Sequence, residues 1–436
     1  MDSTCKGVSM QNLSPPLFFN LKERLIFTLF LCLVLGCTLG FKFYQFHTLK
    51  SQQNPQITAQ VLLQYLKSKD DKTYFVLKLK SDFGVFYTTS REDLQDLKYR
   101  FLSLRIMLDK VSFGEFLHRF YAPSFNLVLL PNQDFKTPLR EAILNQHDTQ
   151  LMGEYYLALF LSDSLPQAWR TLAQSYGISH IFAISGFHTG ILSAVGFLLL
   201  GFLYKPFHRR FFPYRNAFFD MGFLVLLGLI AYYFLLTQSP SYLRALTMSC
   251  VTFFLLWRGL DVLRLESFAW CVLSLLAFFP QLIFSVGFYF SSLGVLYIFL
   301  FFKYFKIPKN LIGRFLYGAL LNASTFFLMG IVVYYFFPYF SPLSLFSLLI
   351  TPLFILYYPL ELLLHLFGMG GILDSLLLAW VNFKTYTIIL QPDLITFALC
   401  NLLTLLGVFY LRAFLALLIL NLAYYGYGIY LYFYGF

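Results

Sequence analysis

The residues of this sequence that could do chemistry are few, and most stand in one short run. Gly177-Ile-Ser-His180-Ile-Phe-Ala-Ile-Ser185-Gly186-Phe-His188-Thr-Gly190 brings together two histidines, two serines and three glycines. On a helix, Ser185 and His188 are three apart and share a face, as do Gly186 and Gly190, which admits a close backbone. His180 and His188 then stand about 12 Å apart along the axis, too far to hold one ion, so no metal site is expected from this pair. A second group is Pro240-Ser241-Tyr242-Leu243-Arg244-Ala245, with Met248 one turn later. A guanidinium at a helix start can grip a phosphate or carboxylate with two parallel hydrogen bonds; it could equally close a structural salt bridge to Asp163 or Glu361. Glu361 and His365, four apart, read either as a buried pair or as groups lining a pore.

The elements that position these residues follow from composition. Hydrophobic residues make up 58% of the 436 and charged residues 12%, about half the charge of a soluble protein. That excludes a cytosolic enzyme, a disordered chain, a collagen-like chain and a disulfide scaffold. The apolar residues run on without alternation, so the fold expected is a polytopic α-helical membrane protein and not a barrel of ten-residue strands. An ionisable residue inside a span costs roughly 2.5–3.5 kcal/mol on insertion scales and faces a bundle interior or a water-filled cavity. The 55 Phe and 31 Tyr, against 4 Trp, read either as stacking platforms or as Phe standing in for Leu against lipid. Six cysteines without a Cys-x-x-Cys pair, Cys5 near the start and the others in apolar runs, suggest neither a zinc site nor a disulfide framework.

Charge divides the chain. Residues 50–150 hold 14 Lys/Arg and 11 Asp/Glu, whereas residues 151–436 hold 14 and 8. The organisation expected is an N-terminal tail and first span (1–48), a soluble β-rich domain (49–145) and a multi-helix membrane domain (146–436). The first span, about Leu25–Phe41, follows Lys22 and Arg24 and reads as an uncleaved anchor with a cytoplasmic N-terminus. Residues 49–145 alternate with period two, as in Phe75, Leu77, Leu79 and in Leu102, Leu104, Ile106, Leu108. Further strands fit Ile57–Leu63, Phe83–Thr88 and Phe125–Leu130, about five in all, the count of a small OB-like barrel. Later spans are expected near 181–204, 216–237, 243–257, 267–283, 285–302, 315–338 and 343–366, then near 394–411 and 413–433. Ten basic residues (Lys205, Arg209, Arg210, Arg215, Arg258, Arg264, Lys303, Lys306, Lys309, Arg314) fill alternate connections, and the turns at 238–242, 284 and 338–342 hold none. Loops rich in Lys and Arg stay cytoplasmic, which places the β-domain outside and leaves Arg244 as the core basic residue on the outer side.

The run from His180 to His188 resembles the signature of the ComEC family of competence proteins, approximately His-Leu-Leu-Ala-Ile-Ser-Gly-Leu-His-Val-Gly. His180, Ala183, Ile184, Ser185, Gly186, His188 and Gly190 stand unchanged, with Gly177 upstream. Asp163 falls where the family has an acidic residue. Ser241-Tyr-Leu-Arg-Ala245 with Met248 is similar to the Arg-Ala-x-x-Met element, and Gly287-Phe288 with Ser291 to the Gly-Phe-Gln-Leu-Ser segment. The resemblance covers roughly residues 150–360. The chain departs at Thr351-Pro352, where the family commonly has Asn, and has no His-x-His-x-Asp-His run, so the nuclease domain of longer members is not assigned to it.

The resemblance implies an inner-membrane channel that takes single-stranded transforming DNA into the cytoplasm, with an extracytoplasmic OB-like domain. His180, Ser185, His188, Ser241 and Arg244 are the residues expected along the DNA path. Asp163, Gly177, Gly186, Gly190, Pro240, Gly287, Ser291 and Glu361 are expected to pack or anchor it. Neither a catalytic residue nor a metal or other cofactor is expected. Partners would be the bilayer, an outer DNA-binding receptor, and a cytoplasmic ATPase or single-strand-binding proteins, since no Walker-type phosphate loop is present. Two other readings rest on the same residues: an intramembrane serine hydrolase using Ser185 and a histidine, and a small-solute transporter.

Overall fold

A computed structural model describes residue 18 and residues 20–69, 72–90, 96–131, 134–237, 240–259 and 264–435. Cys5 and most of the N-terminal tail lie outside the described residues, as do residues 238–239 of the first uncharged turn.

The first helix, α1 (Leu21–Ser51), is longer than the apolar stretch that announces it. No Pro interrupts it, and its last turns enter the β-domain, where Phe46 joins the buried core and the Lys50 ammonium donates to the Val111 carbonyl at 3.2 Å. Strands β1 (Gln56–Lys69), β2 (Lys72–Ser81), β3 (Gly84–Ser90) and β4 (Phe101–Ile106) follow, then α2 (Phe113–His118), β5 (Phe120–Tyr121) and β6 (Ser124–Leu129). Period-two alternation has its expected result: Leu77, Leu79, Leu104 and Ile106 are buried and Arg105 faces out. The strand order is β5-β3-β2-β1-β4-β6. Its two end strands are consecutive in the chain, separated by Ala122-Pro123. The Ala122 amide donates to the Tyr87 carbonyl at 3.0 Å and the Thr88 and Ser124 hydroxyls bond at 2.7 Å, so the sheet closes on itself and hides its edges. Gly84, at φ +143°, supplies the turn between β2 and β3 that a side chain would resist.

The remainder is helical. Short helices α3 (Thr137–Leu144), α4 (Gln150–Leu161), α5 (Gln167–Ser175) and α6 (Ser179–Phe182) lead into α7 (Gly186–Phe211), α8 (Ala217–Leu235), α9 (Pro240–Trp257), α10 (Leu265–Phe278), α11 (Val286–Tyr304) and α12 (Leu311–Phe336). Strand β7 (Tyr339–Phe340), α13 (Ser347–Leu366), α14 (Asp374–Val381), β8 (Ile388–Ile389), α15 (Leu394–Gly407) and α16 (Leu411–Tyr434) complete the chain. Among the described residues seven helices are long and apolar enough to cross a membrane: α1, α7, α8, α11, α12, α13 with its preceding turn, and α16. The protein is a polytopic helical membrane protein. Helices α10 and α15, expected to span, have 14 residues each, about 21 Å, and a 3₁₀ turn at Pro280–Phe284 extends α10. Helix α4 is buried from Met152 to Leu161 except Glu154, which is why its sequence shows no amphipathic stripe.

The basic connections join α7 to α8, α9 to α10 and α11 to α12. The β-domain lies at the other ends of these helices: the Lys136 ammonium donates to the Leu236 carbonyl at 2.9 Å, just past α8, and the His118 ring meets Phe284, just before α11, at 5.1 Å. Helix α13 takes an oblique course. Near its start the Leu348 carbonyl accepts from Asn322, midway along α12, at 2.9 Å. Further on, the Tyr358 hydroxyl meets Tyr232, close to the end of α8, at 3.1 Å. Its last turn brings His365 against Phe160 at 4.9 Å.

Candidate functional site

The run that dominates the sequence does not form one helix. Helix α6 ends at Phe182, Ala183 is extended, and Ser185 is the N-cap of α7 with φ −138° and ψ −169°. The first N–H groups of a helix lack carbonyl partners, and this sequence supplies them: the Ser185 hydroxyl accepts from Phe187 N at 3.4 Å, and His188 Nδ1 accepts from Ser185 N at 3.4 Å. This is a capping box with His188 in the place usual for Glu. The continuous-helix spacing of His180 and His188 is therefore corrected by the break at 183–185. His188 is fully buried, edge-on to Phe354 at 5.2 Å and Tyr358 at 5.0 Å. Its Nε2 is buried without a hydrogen-bond partner among the described residues. His180 is exposed and shares a hydrogen bond with Thr351 Oγ1 at 3.2 Å. The threonine that stands in place of the family's Asn thus puts a hydroxyl on the first histidine. Gly177, at φ +64°, would carry a side chain only with strain, and a Cβ there would crowd that of Ser344 at 3.0 Å.

A second cluster assembles from three separate helices. Arg244, on the first turns of α9, is 2% exposed. Its Nε donates to Ser291 Oγ on α11 at 2.8 Å, and its Nη1 lies 2.9 Å from Met248 Sδ. A Cβ on Gly186 at the start of α7 would lie 3.3 Å from Arg244 Nη2. Ser241 Oγ donates to the Gly287 carbonyl at 3.3 Å. The motif residues Gly186, Ser241, Arg244, Met248, Gly287 and Ser291 thus meet at one place. Among the described residues no carboxylate lies within 4.0 Å of Arg244, so the expected alternatives of an ion pair with Asp163 or Glu361 do not hold. Along α9 from Arg244, Met248 and Thr252 line one side of a half-open cavity of about 280 Å³, with Ser267 and Cys271 of α10 on the other side. Gly190 is exposed, with nothing within 4 Å of a Cβ, and so makes none of the close packing expected of it. Pro240 is the first residue of α9.

The histidines and the arginine, expected along one path, occupy separate surroundings. His180 and His188 face α13, whereas Arg244 faces α11, with the start of α7 between them. Ser185 Oγ receives no imidazole hydrogen bond among the described residues, so the geometry of a serine nucleophile activated by histidine is not formed. His365 lies in another cluster with Glu361.

Asp163 pairs with a residue that sequence reasoning missed. Arg140 Nε donates to Asp163 Oδ2 at 2.9 Å and Arg140 Nη1 to Asp134 Oδ2 at 2.6 Å. The Arg140 guanidinium also lies over the Tyr99 ring at 3.9 Å, and Asp134 accepts from Gln60 of β1 at 2.8 Å. This buried clamp ties the β-domain to α3 and to the residues after α4. Lone charges scattered through residues 99–163 carry no periodicity, so nothing in the sequence announced it.

Residues 159–430 match the protein family described as Competence protein, more than half of the 436-residue chain. The chain belongs to the competence protein family. The match extends past the stretch of resemblance read from the motifs and takes in α14, α15 and most of α16. Neither curated proteins nor solved structures yield a match. Membership gives this competence protein a role in DNA uptake during competence, and its Arg244 cluster lies inside the matched stretch.

Proposed function

We propose that this competence protein is the membrane channel through which single-stranded DNA passes, with Arg244 as a phosphate contact on the path. The observation that carries the reading is the state of Arg244: buried, held by a neutral hydroxyl and a thioether, and, among the described residues, without a carboxylate beside it. A buried charge that lacks a counter-charge is expensive. A phosphodiester oxygen would supply the missing charge and suits the guanidinium fork. Each nucleotide brings one phosphate, so a single cation passed in turn by successive phosphates lowers the barrier without trapping the strand, as conduction requires.

The cavity beside Met248 and Thr252 supports a path that continues from Arg244 along α9, toward the basic connection that follows α9. In this reading the protein sits in the bacterial cytoplasmic membrane with its N-terminus and basic loops in the cytoplasm and its closed OB-like β-domain outside, beside an outer DNA-binding receptor. With no Walker-type loop in the sequence, a cytoplasmic ATPase or single-strand-binding proteins pull or trap the strand. Import of labelled DNA into cells carrying Arg244→Ala, at protein levels equal to wild type, tests the proposal. A loss of cytoplasmic label with surface-bound DNA retained is expected, and unchanged import removes Arg244 from the path.

A further inference from the structure

A second buried cluster lies away from Arg244, where the loop between α3 and α4 meets the end of α13 and the start of α14. His147 Nδ1 faces the Asp374 carboxylate at 2.9 and 3.1 Å. His147 Nε2 and His365 Nε2 face one another at 3.2 Å. His365 Nδ1 lies 2.7 Å from the Glu361 carbonyl oxygen. All four side chains are at least nine-tenths buried.

The hydrogens in this row can be counted. A carbonyl oxygen only accepts, so His365 Nδ1 carries a hydrogen, and its Nε2, in the neutral ring, is a lone pair. The Nε2···Nε2 contact then requires His147 Nε2 to donate. An ionised Asp374 also only accepts, so His147 Nδ1 donates as well, and His147 is an imidazolium. If the proton instead sits on Asp374, the total is unchanged. The row therefore holds one proton beyond those of two neutral rings and a carboxylate.

The surroundings favour that single charge. The Tyr156 ring stacks on His147 at 4.6 Å, inclined by 8°, as a cation–aromatic contact. Gly370 admits the His365 ring, because a Cβ there would lie 2.6 Å from Nε2. Gln146 bridges the two sides, donating to the His365 carbonyl at 3.2 Å and accepting from Gly370 N at 3.0 Å. The other titratable groups facing the row are Glu361, whose carboxylate is 3.6 Å from His365 Nδ1, and the hydroxyls of Tyr155, Tyr156 and Tyr357, linked to one another at 3.1 and 3.3 Å. Asp148 is exposed, and Glu154 is turned to Lys98 at 3.5 Å.

We propose that Asp374, His147 and His365 form a proton-binding latch that is closed only while it holds this one proton. Removing the proton leaves two lone pairs facing at Nε2, or a lone pair facing the carboxylate; adding one puts two N–H groups head to head. Either change breaks the row. The latch joins the segment leading from the β-domain to the far end of α13, whose earlier turns carry Thr351 against His180 and Phe354 against His188. Proton occupancy on the β-domain side thereby sets whether α13 is fastened to that segment.

Amide hydrogen exchange on the full-length protein in detergent, followed from about pH 5 to about pH 8 and corrected for intrinsic exchange, tests the latch. Segments 145–149 and 366–374 are expected to be most protected at an intermediate pH and to exchange about tenfold faster at one or both ends of the range. In His365→Gln, whose amide oxygen accepts from protonated His147 and whose amide group donates to the Glu361 carbonyl, the protein remains folded; the step at high pH is kept, because His147 still loses its proton between two acceptors, and any step at low pH is lost, because position 365 can no longer take up a second proton. A flat wild-type profile, loss of the high-pH step in His365→Gln, or a wild-type low-pH step that persists unchanged in it overturns the proposal. A zinc-dependent change in exchange at these segments would overturn it in favour of a metal held between the two Nε2 atoms.

Discussion

Arg244 has its chemistry decided by a neutral setting, a hydroxyl and a thioether with no carboxylate beside it among the described residues. Lysine there keeps the charge but cannot reach Ser291 and Met248 with a planar fork. Arg244→Lys is expected to lower DNA import about tenfold or more, the weight of one charge-assisted hydrogen bond, with the protein still inserted; transformation frequency at matched protein level is the measurement. Two glycines of one motif part company for a spatial reason. Gly186→Ala places a methyl against the Arg244 guanidinium and should reduce transformation, whereas Gly190→Ala meets open space and should not. Ser185→Ala removes a cap worth about 0.5–2 kcal/mol, so a modest fall in thermal stability with import largely retained is expected. Complete loss of import with stability unchanged would restore the serine-hydrolase reading.

Between elements, the Arg140 clamp fastens the β-domain to α3 and the residues after α4. Arg140→Ala strips two buried carboxylates of their partner and should cost about 3–5 kcal/mol, visible as release of the β-domain by limited proteolysis in detergent. Burial would raise the Asp134 carboxyl, but hydrogen bonds from Arg140, the Lys136 amide and Gln60 outweigh it and hold the group below the usual range. A depressed carboxyl contributes stability that is present above the unfolded value, about 3.9 for Asp, and is lost as pH falls through the folded value. Proteolytic release should therefore stay constant through neutral pH and rise only in acid. A rise near neutrality would point to the histidine latch in place of the clamp.

For the molecule as a whole, the two ends of the bundle differ in charge and in what covers them. Thiol labelling from outside intact cells, in a variant without native cysteines, is expected to reach Tyr121→Cys in the β-domain and not Arg209→Cys at the end of α7. The reverse pattern would invert the topology. Helix α1 belongs to both parts: Thr38 donates to the Ala277 carbonyl of α10 at 2.8 Å, and Arg24 pairs with Glu266 at 3.2 Å, while Phe46 packs in the β-domain core. An anchor so engaged should remain in the mature protein, which intact-mass measurement of purified material checks.

What the sequence determined by itself was set by local or compositional physics. Long apolar runs must be helices in lipid because backbone groups there have no other partners, and alternation from Phe75 to Leu79 and from Leu102 to Ile106 is half-buried strand, although the same pattern runs on to Leu108 past the end of β4. The His180–His188 run, Arg244 and the Gly287 segment stood out because polar residues are costly in such a chain. Three things needed the tertiary structure. The break before Ser185 depends on a capping preference that periodicity does not register, since apolar residues continue on both sides of it. The meeting of Gly186, Arg244 and Ser291 joins positions up to 105 residues apart, and helix packing alone decides which helices are neighbours. The partners of Asp163, His147 and Asp374 come from segments that the pattern leaves unrelated: a buried charge announces its need for a partner, and only the folded chain says which partner is within reach.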